Sequence, residues 1–362
     1  MMEEKVKIGI IGTGFARKVQ IPAFQTLPNV EIVSVASGHL ENAEKTAKDF
    51  HITHFTDNWR ETIERNDVDL ICITTPPNLH KEMTLFALER GKAVLCEKPM
   101  AINVAEAREM MDKAREKQVL ALVDFELRFQ NGRQKARKML RDGEIGKIIH
   151  AKYNFRNASR GTLEVPWNWW SDEMQGGGAL GAIGPHIIDS FHWFFSTEIS
   201  SIFCQLQTHV KERRDGKSGE MRQVTTDDEA NLILRFADGD LTEDATGIVS
   251  VSMVEYPKYQ NRIEFFGTEG AMRVEHRGEI FLAKKDDEDW REIEVDFDEP
   301  IAGIPDTGFS RGFTSFAPKI IEAIREGRTE IENAATFEDG CKVQKVLDAA
   351  RCQNLQAEIN WS

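Results

Sequence analysis

The sequence predicts two domains: an N-terminal α/β domain with a doubly wound parallel sheet, residues 1–125, and a C-terminal α+β domain with a large, mainly antiparallel sheet, residues 126–362. Three observations support this prediction. The chain has 362 residues, more than one compact core usually accommodates. Its first third alternates continuous apolar runs with amphipathic stretches, as in a parallel sheet covered on both faces. From Lys147 onward, strand-like runs follow one another with turns between them, which favours antiparallel pairing.

In the first domain, each predicted strand is a continuous run of apolar residues, and a helical pattern follows most of them. The predicted strands are 6–11, 31–36, 70–74, 93–96 and 120–124, and the predicted helices are 42–49, 79–89 and 104–117.

In the second domain, the predicted strands are 148–155, 199–207, 229–236, 247–254, 262–267, 271–275 and 279–282. Helices are predicted at 179–195, 313–326 and about 336–354. Residues 211–223 and 284–289 are charged and poor in apolar residues, which predicts solvated loops or hairpin tips. The sequence has no internal repeat and no low-complexity linker.

Composition excludes several classes of partner. The formal net charge is −14 and the sequence pI is about 5.3, which argues against nucleic acid and anionic membranes as partners. No stretch approaches the roughly 18 apolar residues of a membrane span. The charged N-terminal residues do not resemble a signal peptide. The five cysteines are scattered without a C-x-x-C pair, so we expect reduced thiols and a cytoplasmic protein.

A glycine-rich turn follows the first predicted strand. Gly12-Thr13-Gly14 comes directly after the apolar run, and Phe15 and Ala16 begin the next helical pattern. Glycines at these positions permit a tight turn and let the backbone approach a pyrophosphate at the helix N-terminus. The turn therefore predicts a Rossmann dinucleotide site, with a plain tight turn as the alternative. Arg17 stands where the fingerprint has a third small residue. It either loosens the helix–strand packing or reaches outward, towards a phosphate.

The end of the second predicted strand bears on the choice between NAD and NADP. Ser37-Gly38-His39 stands where an Asp or Glu would bind the adenosine ribose of NAD. Ser37 and Gly38 have no charge to repel a 2′-phosphate, and His39 or Lys45 could attract one. Alternatively, the serine and glycine are a helix cap and a turn. The pattern allows both cofactors, NAD(P), and favours NADP.

An ordered series of motifs spans essentially the whole chain and resembles one family, the Gfo/Idh/MocA oxidoreductases, which includes glucose–fructose oxidoreductase and inositol dehydrogenase. The motifs are Gly12-Thr13-Gly14, Ile21-Pro22-Ala23, Thr74-Thr75-Pro76-Pro77-Asn78-Leu79-His80, Gly91-Lys92 with Glu97-Lys98-Pro99, Gly176-Gly177-Gly178-Ala179-Leu180, Gly184-Pro185-His186 with Asp189, Phe266-Gly267-Thr268-Glu269-Gly270 and Asp339-Gly340.

The resemblance implies an NAD(P)-dependent oxidoreductase whose lysine, Lys98, contacts the substrate hydroxyl and often precedes proline in a cis bond. Lys98 and His186 are then the catalytic pair. The implied cofactor-binding residues are Gly12, Thr13, Gly14, Phe15, Ala16, Ser37, Gly38, His39, Thr74, Thr75, Pro76, Asn78, His80, Glu97 and Lys98. The loop at residues 74–78 also fits on physical grounds, because ligands of parallel sheets bind at the carboxyl ends of strands. Capping of the following helix is the alternative role for Asn78 and His80.

This sequence departs from the family at one position. The family has an acidic residue four positions before the histidine, one helical turn away, and here that position is Ala182. Asp189, Asp172 and Glu126 are the alternative acids. Asp189 lies three residues after His186 and shares its helix face. His192 points elsewhere on the helix, so we predict no metal site.

Substrate-binding candidates come from the segments next to these motifs. Arg128 lies in the segment that leaves the last strand of the first domain, at an expected interdomain cleft. Trp167 and Trp169 precede the glycine run with Trp170, and indoles stack on sugar faces. Such a cluster could equally be a hydrophobic plug or a dimer contact. With Asp189, these residues form the predicted substrate-binding set.

The predicted function is hydride transfer between NAD(P) and a sugar, cyclitol or related polyhydroxylated substrate. A sensing regulator without turnover is the first alternative, because of Ala182, and an NAD-dependent lyase or glycosidase of the same fold is the second. By analogy with the family we also expect a homo-oligomer, a dimer or a tetramer.

Overall fold

The protein is described by a computed structural model that covers residues 5–216 and 218–353. These residues form two compact units. The first unit comprises residues 5–131 and 297–341, and the second comprises residues 132–296, without 217, and 342–353.

The strands, in chain order, are β1 (Val6–Ile11), β2 (Val30–Ala36), β3 (His54–Thr56), β4 (Leu70–Ile73), β5 (Ala93–Cys96), β6 (Ala121–Val123), β7 (Ile148–Arg156), β8 (Ile199–Gln207), β9 (Glu212–Arg214), β10 (Met221–Gln223), β11 (Glu229–Phe236), β12 (Thr242–Ser252), β13 (Gln260–Gly267), β14 (Gly270–Val274), β15 (Ile280–Lys284), β16 (Arg291–Ile293) and β17 (Ala335–Thr336). The α-helices are α1 (Ile21–Gln25), α2 (Leu40–Phe50), α3 (Trp59–Glu64), α4 (His80–Glu89), α5 (Val104–Lys117), α6 (Asn131–Arg141), α7 (Gly178–Ala182), α8 (Gly184–Phe195), α9 (Gly308–Arg325) and α10 (Phe337–Cys352).

The first unit is built on a seven-stranded sheet in the order β17-β6-β5-β4-β1-β2-β3. Each strand from β6 through to β3 in this order is parallel to its neighbours. Strand β17 pairs antiparallel with β6. The central strands are buried on both faces, which explains their continuous apolar sequences. This is the predicted Rossmann-like domain.

Residues 297–341 pack with the first unit, whereas the sequence analysis groups them with the second domain. Phe313 of α9 lies edge-on to Phe24, with ring centroids 5.4 Å apart. Gly312 permits close packing, because a Cβ there would lie 2.2 Å from the Glu126 carbonyl oxygen. These contacts join residues 289 and 186 positions apart in the sequence, so no local pattern could indicate them.

The second unit contains an eight-stranded sheet in the order β16-β15-β14-β13-β7-β12-β11-β8. Its pairs are antiparallel except for β7 with β12, so the predicted mainly antiparallel sheet is confirmed. Aromatic side chains of α8 form the core against it: Phe194 and Phe195 pack edge-on to Phe265. The charged segment 211–223 contains a short hairpin of β9 and β10.

Three helix predictions differ from the structure. Helix α9 begins at Gly308, five residues before the predicted start at 313. The helix predicted at 179–195 is divided into α7 and α8 around Ile183, because Pro185 lacks a backbone N–H and its ring excludes a continuous helical turn before it. The last helix ends at Cys352, and its predicted end at Asn354 lies outside the described residues. In addition, β3, α3, α6, β16 and β17 were not predicted. In the part of the chain that the structure describes, no helix is long and apolar enough to cross a membrane.

Candidate active site

Gly12 occupies a position that requires glycine for two reasons. Its φ is +100°, and an added Cβ would lie 2.6 Å from the backbone and hydroxyl of Thr74. The backbone joins three strand ends here, since Gly12 N–H donates to Ala36 O at 2.8 Å and Thr74 N–H donates to Ile11 O at 2.7 Å. The carboxyl ends of β1, β2 and β4 therefore converge on the glycine turn.

The residues after Gly12 leave space for a ligand. Gly14 is exposed, and no atom lies within 4 Å of where its Cβ would be. Phe15 packs edge-on to Phe313 at 6.3 Å and Ala16 is buried, so the turn is held firmly against the unit. A tight turn followed by open space at a helix start fits the pyrophosphate of a dinucleotide.

Arg17 does not face this open space. Its guanidinium pairs with Asp49 of α2 and donates to the Thr46 hydroxyl at 3.2 Å. Arg17 and Lys45 both bind Asp49, and these contacts hold the pKa of the Asp49 carboxyl below its usual value. Arg17 therefore reaches outward and does not loosen the helix–strand packing. Its partner is a carboxylate of the same unit, not a phosphate.

The segment Ser37-Gly38-His39 ends β2. Ser37 is half-buried and its N–H donates to Thr56 O at 3.1 Å. Gly38 is exposed and has no atom within 4 Å of its missing Cβ. His39 is exposed, has an extended backbone and immediately precedes α2. The strand end is therefore accessible and carries no carboxylate.

The loop after β4 is fastened to the Lys98 segment by His80. The ring of His80 is fully buried, with Nε2 2.8 Å from Thr75 O and Nδ1 3.0 Å from Pro99 O. Burial lowers the pKa of His80 to about 4, so the ring is neutral at neutral pH. This ring connects the two loops and is not placed to contact a cofactor itself.

The other members of the loop lie nearer the surface. Thr74, Thr75 and Pro76 are half-buried, and Asn78 is exposed in the short 3₁₀ turn Pro77–Leu79. Helix α4 begins at His80 without a side-chain cap, so Asn78 does not cap it. Asn78 is therefore accessible for a direct contact.

Lys98 follows β5 at the carboxyl end of the sheet. It is half-buried, and the Lys98–Pro99 peptide bond is cis, as the family resemblance implies. Its backbone N–H lies 3.3 Å from Oε2 of Glu97, whose side chain is buried. Burial raises the pKa of Glu97, and the charge of Lys98 opposes this effect.

A buried carboxyl cluster behind Glu97 was missed by the sequence analysis. The fully buried Gln20 donates from Nε2 to Glu97 Oε1 at 3.2 Å and to Asp124 Oδ2 at 2.8 Å. Burial, followed by the charges of Glu97 and Glu126, raises the pKa of Asp124 well above its usual range. The one signal in the sequence is that Glu97 and Asp124 each follow a buried strand.

Arg128, predicted to bind substrate, is 6% exposed. Its guanidinium lies 3.6 Å from the Asp339 carboxylate and 3.5 Å from Asn333 O. All three residues belong to the first unit. The geometry therefore indicates that Arg128 joins the 126–129 turn to the returning C-terminal segment.

In the second unit, α8 carries His186 and Asp189, which are 3% and 2% exposed. Ser190 Oγ donates to the His186 carbonyl at 2.6 Å, which ties this turn together. Ala182 ends α7 and is fully buried. Of the alternative acids, Asp172 caps a 3₁₀ turn by accepting from Met174 N at 3.0 Å.

The glycine run before α7 allows close packing of the tryptophan segment. A Cβ on Gly177 would lie 2.4 Å from Trp169 O, and a Cβ on Gly178, whose φ is +94°, would lie 2.3 Å from the half-buried Asp227 carboxylate. Trp169 and Trp170 are half-buried, with centroids 5.5 Å apart.

Trp167 is held by the β9–β10 hairpin. Its Nε1 donates to Gln223 O at 3.0 Å and Arg222 stacks on its ring at 3.3 Å. The hydrogen-bond donor and one ring face of Trp167 are therefore already engaged, and the Arg160 guanidinium lies 5.4 Å from the centre of the Trp170 ring.

A buried polar network beside α8 was also missed. Arg133 donates to Ser190 Oγ at 2.8 Å and to Tyr153 OH at 2.9 Å, and Tyr153 OH donates to Asn261 Oδ1 at 2.7 Å. These residues come from α6, α8, β7 and β13, so their proximity depends on the tertiary fold. Among residues 5–216 and 218–353, no group of three His, Cys, Asp or Glu is placed to hold a metal ion.

Comparison with known proteins gives consistent matches over both units. Residues 6–125 match the family described as an oxidoreductase family with an NAD-binding Rossmann fold, and residues 133–273 match the GFO/IDH/MocA C-terminal domain. The chain is 28% identical to levoglucosan dehydrogenase of Pseudarthrobacter phenanthrenivorans, over 96% of this chain and 95% of that protein. It is also 28% identical to glucose-6-phosphate 3-dehydrogenase of Bacillus subtilis, over 94% of each.

A solved structure of levoglucosan dehydrogenase in complex with NADH and levoglucosan is similar with a TM-score of 0.86 and 26% identity, covering 97% of both chains. The two family matches together span most of the chain and include most strands of the parallel and antiparallel sheets. The chain therefore belongs to the Gfo/Idh/MocA family of NAD-binding oxidoreductases.

Proposed function

We propose that this protein is an NAD(P)-dependent dehydrogenase that transfers hydride between the nicotinamide and a hydroxyl or carbonyl carbon of a sugar, cyclitol or related polyol. The observation that carries the proposal is the convergence of Gly12, the Thr74–Pro76 loop and Lys98 at one edge of the parallel sheet. This edge combines a dinucleotide turn with a basic side chain that can act on a hydroxyl.

The proposed cofactor contacts follow from accessibility. The backbone of Gly12-Thr13-Gly14 and the start of the following helix hold the pyrophosphate. Ser37, Gly38 and His39 border the adenosine ribose, and Thr74–Pro76 with Asn78 and Glu97 border the nicotinamide end. When bound, the nicotinamide supplies hydride exchange at its C4 atom.

Lys98 and His186 are the proposed acid–base residues. Hydride leaves an alcohol carbon readily only if the hydroxyl proton leaves as well, so a base must reach that oxygen. Lys98 Nζ and the His186 ring hold and move this proton. Since Ala182 cannot supply the carboxylate found in relatives, we assign the orienting of His186 to Asp189 on the same helix face.

The proposed substrate class rests on the half-buried indoles of Trp169 and Trp170 and on the sugar dehydrogenases among the relatives. Indole faces stack on the C–H faces of sugars, and the N–H group donates to hydroxyl groups. A polyol that presents both an apolar face and hydroxyl groups fits this surface.

A panel of sugars, sugar phosphates and cyclitols, each with NAD and NADP, tests the proposal by the change in NAD(P)H absorbance. With a substrate found, Lys98→Met should lower single-turnover hydride transfer by at least about a hundredfold, the loss typical of an acid–base group. NADH affinity should change little, and His186→Ala should cost somewhat less. Lys48→Met, at an exposed lysine of α2 paired with Glu44, is the matched control and should keep the parent rate.

Near-parent rates in both variants would show that Lys98 and His186 are structural.

The second candidate function is a dinucleotide- or sugar-sensing regulator, which the buried Ala182 favours. Tight NADH binding without turnover of any substrate supports this candidate. Sugar product formed without net NADH supports a lyase or glycosidase instead.

We also propose that the eight-stranded sheet mediates homo-oligomerisation. Phe203, Ile233 and Ile248 lie opposite one another on neighbouring strands, and all three are exposed, Ile233 by 58%. Exposed apolar side chains in one continuous row favour contact with a second protein surface. A second copy of the same sheet is the proposed partner.

A further inference from the structure

Gln20 brings two carboxyl groups together in the interior of the first unit. Its single amide nitrogen donates to Glu97 at 3.2 Å and to Asp124 at 2.8 Å. The two acids follow neighbouring strands, β5 and β6, and the Asp124 N–H donates to Cys96 O at 2.8 Å. Backbone and side-chain contacts therefore both hold Asp124 beside Glu97.

Two ionised carboxylates that accept hydrogen bonds from the same amide nitrogen would repel strongly in a buried site. Asp124 is 0% exposed, and its Oδ1 atom accepts no hydrogen bond from any residue that the structure describes. A proton on Asp124 removes one charge and allows a hydrogen bond between the two carboxyl groups. Pairs of this kind retain a proton and titrate as a unit.

The groups around the pair decide which carboxyl keeps the proton. Lys98 faces Glu97 and favours its ionised form, whereas the charge of Glu126 acts on Asp124 and disfavours ionisation there. Two thiols, Cys72 and Cys96, are also close, and burial raises the pKa of each, so both are neutral. The surroundings therefore place the proton on Asp124 and the negative charge on Glu97.

We propose that Asp124 is a positioning residue that keeps its proton at neutral pH and donates a hydrogen bond to Glu97, so that the pair presents one fixed carboxylate beside Lys98. This inference deepens the proposed function and rests on it for the role of Lys98. The raised pKa values of both acids agree with a retained proton. Gln20, Glu97 and Asp124 then form one hydrogen-bonded unit behind the proposed cofactor site.

The first test is infrared spectroscopy of the full-length protein at neutral and mildly alkaline pH. The parent should show the C=O stretch of a protonated carboxylic acid, and this band should shift in D₂O. Asp124→Asn should lack the band. Asp57→Asn, at an exposed aspartate of the same unit, is the matched control and should keep it. A parent without the band, or a band that persists in Asp124→Asn, overturns the proposal.

The second test measures NADH affinity by fluorescence as a function of pH. Asparagine also donates to Glu97, so Asp124→Asn should bind NADH as the parent does near neutral pH. Asp124→Ala lacks the donor and should bind about tenfold more weakly, the loss expected for one charge-assisted hydrogen bond. As the pH rises, the parent should lose its shared proton and change affinity, whereas Asp124→Asn should not. A parent whose infrared band disappears as the pH rises, while its NADH affinity keeps the same pH profile as that of Asp124→Asn, overturns the proposal.

Neither test requires a substrate, so the two proposals fail separately. A protein that turns nothing over but shows the carboxylic-acid band and the pH-dependent NADH affinity refutes the proposed function and supports the Asp124–Glu97 pair. An active enzyme without the band refutes the pair and leaves the proposed function standing.

Discussion

His80 links the two loops that carry the proposed cofactor and catalytic residues, so its removal should loosen both. The perturbation is His80→Ala. In the parent, the neutral ring donates one hydrogen bond to either Thr75 O or Pro99 O, and it fills a fully buried position. Loss of the hydrogen bond and exposure of unsatisfied carbonyl groups cost about 1–3 kcal/mol, and the cavity adds to this. We expect the free energy of unfolding to fall by about 2–4 kcal/mol.

The pH dependence gives a sharper signature of the same residue. Burial lowers the folded-state pKa of His80 from 6.5 to about 4, so between these values the unfolded chain binds more protons than the folded chain. Stability from this group is therefore complete above pH 6.5 and is lost as the pH falls through 4, by roughly 3 kcal/mol in total. His80→Ala should lack this part of the acid destabilisation.

The assay is urea unfolding from pH 4 to pH 7, together with NADH titration by fluorescence. If about 1.4 kcal/mol of the lost stability must be recovered to order the two loops when NADH binds, NADH should bind about tenfold more weakly. Ile32→Ala is the control, because Ile32 is buried near the amino end of β2, away from the loops, and its truncation should destabilise by a similar amount. Equal NADH affinity in His80→Ala and Ile32→Ala, or an unchanged pH profile, would refute the linking role.

Three further predictions concern the cofactor, the second unit and the oligomer. Because Ser37 and Gly38 carry no charge, NADP(H) should bind at least as well as NAD(H), and Ser37→Asp should shift the preference towards NAD(H); titration showing NAD(H) tighter by about tenfold in the parent contradicts this. Burial raises the pKa of Asp227 to about 6, so its folded form binds the extra proton between pH 3.8 and 6 and stability falls as the pH rises through this window. Relative to the parent, Asp227→Asn should therefore gain roughly 2 kcal/mol of stability between pH 4 and pH 7, measured from urea midpoints, and a difference that does not change with pH would refute this. The variant Ile233→Lys should have a lower mass than the parent in sedimentation equilibrium, closer to that of a monomer. An unchanged mass would show that this sheet face is not the interface.

The elements that the sequence predicted well are those with a strong local pattern. The helix at 104–117 and the strands at 6–11, 93–96, 199–207 and 229–236 agree with the structure to the residue. Helix α6 was missed because its sequence has few apolar residues, and its buried face includes Gly132 and Arg133. Strand β17 has two residues and exists because it pairs with β6. Short elements held by tertiary contacts leave no periodic signal.

The site was predicted in the same uneven way. The accessible positions Gly14, Gly38 and Asn78 lie in segments that the motifs identified, and Lys98 stands at a strand end as expected. By contrast, Arg128, considered a substrate contact, is paired with Asp339, more than 200 residues away. Its partner could not be inferred from residue type, because an arginine has the same donors in a binding site and in an internal ion pair.

By itself, the sequence determined the local features of this protein: the glycine in the tight turn after the first strand, and the succession of buried strands and helices. These features depend on backbone sterics and on periodicity within short segments. Only the tertiary structure decided that Gln20 joins Glu97 and Asp124, 77 and 104 residues away, and that residues 297–341 return to the first unit. Burial and neighbouring charge depend on such long-range packing, and they alone turn ordinary carboxyl groups into a pair that shares a proton.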